Sequence, residues 1–313
     1  MQEAAIMVTG GSGCLGQAVV RQLAARGRTI VSVYHHKLPE SFERVYPVCV
    51  DLSSAELMAA PLRGVETVVH MAWAGGLAGP SQPFSHGGHS RPPETANLRM
   101  LRHLLTAMER AGTKRLIFLS AAGASRTAAA PFLREKYAAE AMLLNAKIPE
   151  KWILRSALIW GGNGANDRLV QSMLRLLRFP VYPLPSADMA LAPVHLADIA
   201  EVVVNACFQT QASEAVVQEV HGGQSYAMGQ LFKMVSERYI GRPRLALGGI
   251  LGESLLPFLE RDRRGATATT KMQHLLAIGV SKAGVQVSPS AGGVAGKRLA
   301  SFQERLAERP AER

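Results

Sequence analysis

The run Val8-Thr9-Gly10-Gly11-Ser12-Gly13-Cys14-Leu15-Gly16 constrains this chain more than any other stretch. An apolar, strand-like segment, Ala4 to Val8, leads into it, and a helical pattern, Leu15 to Arg26, leads out. Gly10 suits the tight turn that follows a strand. Gly13 lets backbone approach a pyrophosphate with no Cβ in the way. Gly16 lets the helix pack close to the sheet. The helix start, with Ser12, Gly13, Cys14 and Leu15 around it, then offers unpaired N–H groups and a positive dipole end to phosphates. A glycine triplet alone is a weak signal. Set between a strand and a helix, it predicts a dinucleotide site.

Strand-like and helical segments alternate from there. Thr29 to Tyr34 reads as a second strand, and a dinucleotide fold puts the adenosine ribose at its end. NAD binders commonly place a carboxylate there, but here the residues are His35, His36 and Lys37. Nothing in that trio repels a 2′-phosphate and Lys37 attracts one, so NADP(H) is expected over NAD(H); ordinary loop residues are the alternative. Tyr46 to Val50 reads as a third strand ending at Asp51 and Leu52. Asp51 either accepts from the adenine amine or caps a helix starting near Ser53, and the two roles are compatible. Glu66 to Met71 is a fourth strand whose carboxyl end brings Met71 and Ala72 toward the cofactor. His70, alone in an apolar run, reads as structural.

Residues 74–93 are rich in Gly, Pro, Ser and His and read as a long lid-like loop, with His86 and His89 too few for a metal site. A helix over Glu94 to Ala111, a strand over Lys114 to Ser120, a helix over Pro131 to Ala146 and a strand from Trp152 complete the pattern. It predicts an α/β fold, a Rossmann-type doubly wound parallel sheet. The expected division is a core over 1–160 with 190–222 returning to it, and a substrate-binding cap over 161–189 and 223–313.

With 313 residues, 48% of them hydrophobic, the chain can bury a large core in one or two domains. Cys14, Cys49 and Cys207 are scattered, which fits a reducing compartment without disulfides or a metal site. No run of about 18 apolar residues is present to span a membrane. A strand beginning at once leaves no room for a signal peptide, so a soluble cytoplasmic protein is expected. The net charge of +11 is dispersed and lacks a basic–aromatic platform, so it reads as a solvated surface rather than a nucleic-acid site. Arg168, Arg175 and Arg178 are either helix-surface charges or contacts for a substrate anion.

From Ala4 to about Arg242 the chain resembles the short-chain dehydrogenase/reductase superfamily, specifically its extended and atypical branches of the NAD-dependent epimerase/dehydratase type. The resemblance rests on the loop Thr9 to Gly16, Asp51-Leu52, His70-Met71-Ala72, Asn97, Lys114 to Ser120, Leu154 to Gly161, Pro193 to Ala200 and His221-Gly222-Gly223. It implies a Tyr and a Lys spaced as YxxxK on one helix, the Lys holding the nicotinamide ribose and lowering the Tyr pKa. Lys136 matches that Lys. Phe132 stands where the Tyr belongs, and Tyr137 points to a different face. Ser120 matches the hydroxyl residue after the fifth strand, although in the closest register Ala121 takes that place. Arg155-Ser156 stands for the family's Arg-Pro. The run Phe132 to Lys136 also resembles atypical members, among them the accessory subunit of respiratory complex I that holds NADPH without turnover.

Two functions follow as expectations. One is an NADP(H)-dependent oxidoreductase or epimerase/dehydratase-type enzyme acting on a small molecule, possible as a homodimer. The other is a non-catalytic NADPH-binding protein with a structural, redox-sensing or assembly role.

Overall fold

The structure, a computed structural model, describes residues 5–73, 94–128, 130–162, 167–184, 187–210, 214–242, 244–247 and 299–308. The expected lid over 74–93 and most of the apolar stretch 245–259 lie outside these residues. In chain order the elements are β1 (Ala5–Thr9), α1 (Cys14–Ala25), β2 (Ile30–Tyr34), β3 (Val45–Cys49), β4 (Val65–His70), α2 (Ala96–Ala111), β5 (Arg115–Ala121), α3 (Pro131–Asn145), β6 (Glu150–Ser156) and β7 (Ile159–Trp160). They continue with α4 (Arg168–Leu177), β8 (Val181–Pro183), β9 (Ala190–Leu191), β10 (Val194–His195), α5 (Leu196–Ala206), β11 (Ala215–Val220), β12 (Tyr226–Ala227), α6 (Met228–Ile240), β13 (Leu245–Leu247) and α7 (Phe302–Glu308).

Seven strands form one parallel sheet in the order β11-β6-β5-β4-β1-β2-β3, flanked by helices. The central strands are largely apolar because both faces are covered, whereas the edge strands β3 and β11 are mostly exposed or half-buried. Met7, Val8, Val68, Leu116, Phe118, Ile153 and Leu154 are all buried. Chain order reverses between β1 and β4, which opens a crevice beyond their carboxyl ends, the usual ligand position in such sheets. The apolar faces of α2 (Leu101, Leu104, Met108) and α3 (Ala139, Leu143) close the core on the sheet. Thr95 caps α2 by accepting from Leu98 N, and Gly112, at φ 70°, ends it in the left-handed conformation. The helix expected near Ser53 shrinks to a single 3₁₀ turn, Glu56–Met58. Pro61 and Gly64, the latter at φ 72°, stop the chain from continuing as a helix before β4.

Two compact units are present: Met1–Arg155 with Ile199–Gln218, and Ser156–Asp198 with Glu219–Arg313. The second is held by short strand pairs, β7 with β10, β9 with β12 and β8 with β13. Asp167 caps α4 through Val170 N at 3.2 Å and also accepts from Gly161 N at 3.0 Å. Residues 299–308 are built into this unit. Phe302 is fully buried, its ring 4.2 Å from that of Trp160, and Arg305 pairs with Asp198. His195 packs edge-on to Trp160 and accepts from Ala197 N.

Candidate functional site

The glycine loop is set by backbone atoms. Gly10 has φ 74°, and a Cβ there would stand 2.9 Å from Ala72 N. The turn after β1 therefore lies directly against the end of β4. Gly11 is also required, because its Cβ would fall 2.1 Å from the hydroxyl of buried Ser32. Gly16 packs against the loop rather than the sheet: its Cβ would come 2.1 Å from the Gly10 carbonyl. This corrects the expected helix–sheet contact and keeps the glycine requirement. Gly13 is different. It is exposed, with ordinary extended backbone, and a Cβ there would meet only the Gly10 carbonyl at 3.3 Å. Gly13 also forms the N-cap of α1, and no side chain caps that helix. An open glycine at a helix start with no capping side chain fits a pyrophosphate. Ser12 and Leu15 are half-buried beside it, and Cys14 is exposed.

Beyond β2, His35, His36 and Lys37 are all exposed, the two imidazoles 3.9 Å apart between ring centroids. Asp51 is exposed and accepts from Ser53 N at 2.9 Å, an Asx turn. That backbone bond, helped by the Ser53 side chain, lowers its pKa, and the nearby His35 adds to the effect. Leu52 is buried. No carboxylate lies among the three residues that follow β2.

A second cluster forms where β4 and β5 end under α3. Phe132 and Lys136 are one helical turn apart, share a face and are both buried. Tyr137 lies outside that face and is 38% exposed. The Lys136 amine donates to Leu119 O at 2.8 Å and sits 3.6 Å from the centroid of the Trp73 ring, 4.7 Å from Phe118 and 5.9 Å from Phe132. Burial pushes its pKa down to about 7, against the opposing charges of Glu135 and Glu140.

The surrounding polar groups are mostly committed. Ser120 donates its hydroxyl to Glu140, and Arg155 grips the same carboxylate with two bonds of 3.1 and 2.7 Å. Asn97 donates to Glu135. Thr9 Oγ1 accepts from Ala72 N and shares a 2.7 Å hydrogen bond with His70 Nδ1. Burial, and then the Lys136 charge, push the His70 pKa down to about 3. His70 is thus a neutral structural residue, as its sequence context indicates.

The structure therefore gathers Ser120, Phe132 and Lys136 into one cluster. It sets Met71 and Ala72 beside the glycine loop and leaves His35, His36, Lys37 and Asp51 at the far strand ends. Arg175 is exposed on α4, and Arg178, exposed at its C-cap, donates to Arg175 O at 3.3 Å; the Arg168 side chain lies outside the described residues. Glu140, Trp73 and Phe118 escaped the motif reading. Glu140 had one available signal, its four-residue spacing from Lys136 on the same helix. Among the described residues no group of three or more His, Cys, Asp or Glu is placed to hold a metal ion. Nor is any helix among them long and apolar enough to cross a membrane.

Residues 10–161 match the model of a family described as NAD(P)H-binding. The fold is similar to that of a nucleoside-diphosphate-sugar epimerase from Staphylococcus aureus, with TM-score 0.72, 19% identity, 97% of this chain and 100% of the other. It is equally similar to the NADPH-dependent quinone oxidoreductase QOR2 of Escherichia coli, with TM-score 0.72, 18% identity, 96% of this chain and 98% of the other. In sequence, an uncharacterized protein of Mycobacterium tuberculosis is 28% identical over 260 residues, 82% of this chain; the match spans only 26% of that protein's length. The mitochondrial NADH dehydrogenase [ubiquinone] 1 alpha subcomplex subunit 9 of Arabidopsis thaliana is 28% identical over 253 residues, 75% of this chain and 60% of that protein.

Proposed function

We propose that this chain binds NADP(H) at the glycine loop and acts as an oxidoreductase or epimerase/dehydratase-type enzyme on a small molecule, without a tyrosine phenol. The observation that carries this reading is the pairing on α3: Lys136 is buried at the end of β5, and Phe132 stands one turn before it on the same face. Gly10, Ser12, Gly13, Cys14, Leu15 and Gly16 would hold the pyrophosphate, Met71 and Ala72 would border it, and His35, His36 and Lys37 would take the 2′-phosphate. Asp51 and Leu52 would line the adenine side. The nucleotide, when bound, supplies or accepts a hydride. Residues 161–189 and 223–313 would receive the substrate. The two fold neighbours, a nucleoside-diphosphate-sugar epimerase and an NADPH-dependent quinone oxidoreductase, support this class of chemistry.

A second reading has its own support. Ser120 is spent on Glu140, which Arg155 also holds, so the hydroxyl is part of a closed network. That arrangement, with the likeness to a respiratory subunit, favours a protein that holds NADPH without turning it over.

Paired fluorescence titrations with NADPH and NADH test the reading. We expect NADPH to bind about tenfold or more tightly, one charge-assisted contact to the 2′-phosphate, and Lys37→Glu to erase the difference. Equal affinities in the native protein would remove the 2′-phosphate assignment and leave the fold intact. No binding of either nucleotide would end the proposal.

A further inference from the structure

One surface of the second unit has no part in the candidate site. It lies where β8 and β13 pair in parallel, with Val181 beside Leu245 and Tyr182 beside Ala246. Alternate residues of a strand face opposite ways. Tyr182 is buried, its ring stacked 5.1 Å from that of Phe232 on α6. Val181 and Leu245 therefore share the opposite face, and they are 41% and 62% exposed. Phe179, just ahead of Val181 in the chain, is 45% exposed. The Leu245 N–H donates to Pro180 O at 3.0 Å, which ties the two segments together at this point. Apolar side chains exposed on both of two paired segments form a patch, where a single exposed Leu would need no explanation.

The charge around the patch has one sign. Residues 169–182 hold Arg175 and Arg178, residues 238–247 hold Arg238, Arg242 and Arg244, and neither stretch has an Asp or Glu. Arg175, Arg178 and Arg242 are exposed. Arg178 donates from its side chain to Arg175 O, which keeps the two cations at the carboxyl end of α4. Glu237, the carboxylate just before the second stretch, lies 3.9 Å from Lys233 and is partly neutralised by it. The fold thus joins two acid-free segments and concentrates part of the net charge of +11 beside exposed apolar side chains.

We propose that this face of β8 and β13 docks on an anionic lipid surface. Phe179, Val181 and Leu245 enter the boundary between headgroups and acyl chains, and Arg175, Arg178 and Arg242 meet the headgroup phosphates. Two features favour lipid over an acidic protein. Leu245, the most exposed of the three, stands out from the surface instead of lining a groove. The three apolar side chains also offer no donor or acceptor with which to read a polypeptide. An apolar centre with a basic rim is the chemistry of interfacial binding, in which apolar insertion and headgroup attraction add. The inference is independent of the NADP(H) reading.

Vesicle flotation of the full chain tests this. Phosphatidylcholine vesicles with about 30% phosphatidylglycerol should carry the protein upward, and pure phosphatidylcholine vesicles should not. Raising the salt from about 0.1 M to about 0.5 M should weaken binding roughly tenfold. Arg175→Glu combined with Arg178→Glu should lose at least about 20-fold. Arg63→Glu combined with Arg110→Glu makes the same charge change on exposed residues of the first unit and should lose less than about fivefold. Phe179→Trp should add an emission that shifts to the blue on anionic vesicles and is quenched by brominated acyl chains. No flotation with the anionic vesicles overturns the proposal. So do equal losses in the two double variants, which would mean that net charge alone binds. An emission from Phe179→Trp that is untouched by brominated lipid overturns it too, because the apolar side chains would then stay outside the bilayer. Retention of the native protein on poly-glutamate without flotation, lost in the Arg175 and Arg178 double variant, would assign the face to an acidic polypeptide instead.

Discussion

The two ends of the candidate site are built from different material. At the glycine loop, backbone meets backbone: Gly10 against Ala72, Gly16 against the Gly10 carbonyl. At the α3 end, side chains close on one another: Lys136 within three rings, and Ser120 and Arg155 on one carboxylate. At Gly10 and Gly16 the first kind of construction leaves no freedom in residue type, since any Cβ collides. The second allows many residue sets to fill the same space, so its chemistry can change while the fold stays. The loss of a phenol at Phe132 belongs to this second kind.

Breaking the loop should have the largest effect. Gly16→Ala forces a methyl onto a carbonyl, and we expect a loss of about 3 kcal/mol in urea denaturation together with loss of NADPH binding. Gly13→Ala, where only the Gly10 carbonyl is near, should cost the fold under about 1 kcal/mol yet still weaken NADPH binding. Similar stability losses for the two variants would mean that the loop does not divide into packing glycines and a ligand-facing one.

At the α3 end, Glu140→Ala should cost about 2–3 kcal/mol, because Arg155 and Ser120 both lose their shared acceptor in a buried place. Glu140→Gln should lose less. If both variants denature like the native protein, the network is not what holds this end together.

The smallest effect sharpens the contrast through pH. Burial brings the folded pKa of Lys136 down to about 7 from the ordinary lysine value of 10.5. The unfolded chain therefore binds more protons between those values, and stability attributable to this residue rises with pH across that window. Below pH 7 the buried ammonium carries its full desolvation penalty. Lys136→Met should then be more stable than the native protein by about 1 kcal/mol at pH 6, with the gap narrowing toward pH 10 in thermal unfolding. A gap that is constant across pH would mean that Lys136 titrates normally.

The same contrast explains what the sequence alone could reveal. The strand and helix order was legible because apolar runs and glycine punctuation act locally, and Gly10 and Gly16 answer a backbone need that no other residue meets. Gly11 was missed because its constraint comes from Ser32, on a neighbouring strand. The short 3₁₀ turn in place of a helix after Ser53 reflects Pro61 and Gly64 outweighing the apolar pattern. Lys136 and Phe132 could be found by their four-residue spacing. Glu140, Trp73 and Phe118 matter only because distant segments bring them beside Lys136, and no local pattern encodes that meeting. The tie between Ser120 and Glu140 likewise appears only when β5 and α3 are packed together.

The burial of Phe302 against Trp160 has a consequence for the order of assembly. Each compact unit draws on two stretches of chain, and the second takes part of its core from residues 299–308. A ribosome delivers the N-terminal side first. The glycine loop and most of its sheet are therefore available to fold while the other unit still lacks an aromatic plug for its centre. Nascent chains stalled before residue 299 should carry a protease-resistant first unit beside a second unit that is open to cleavage.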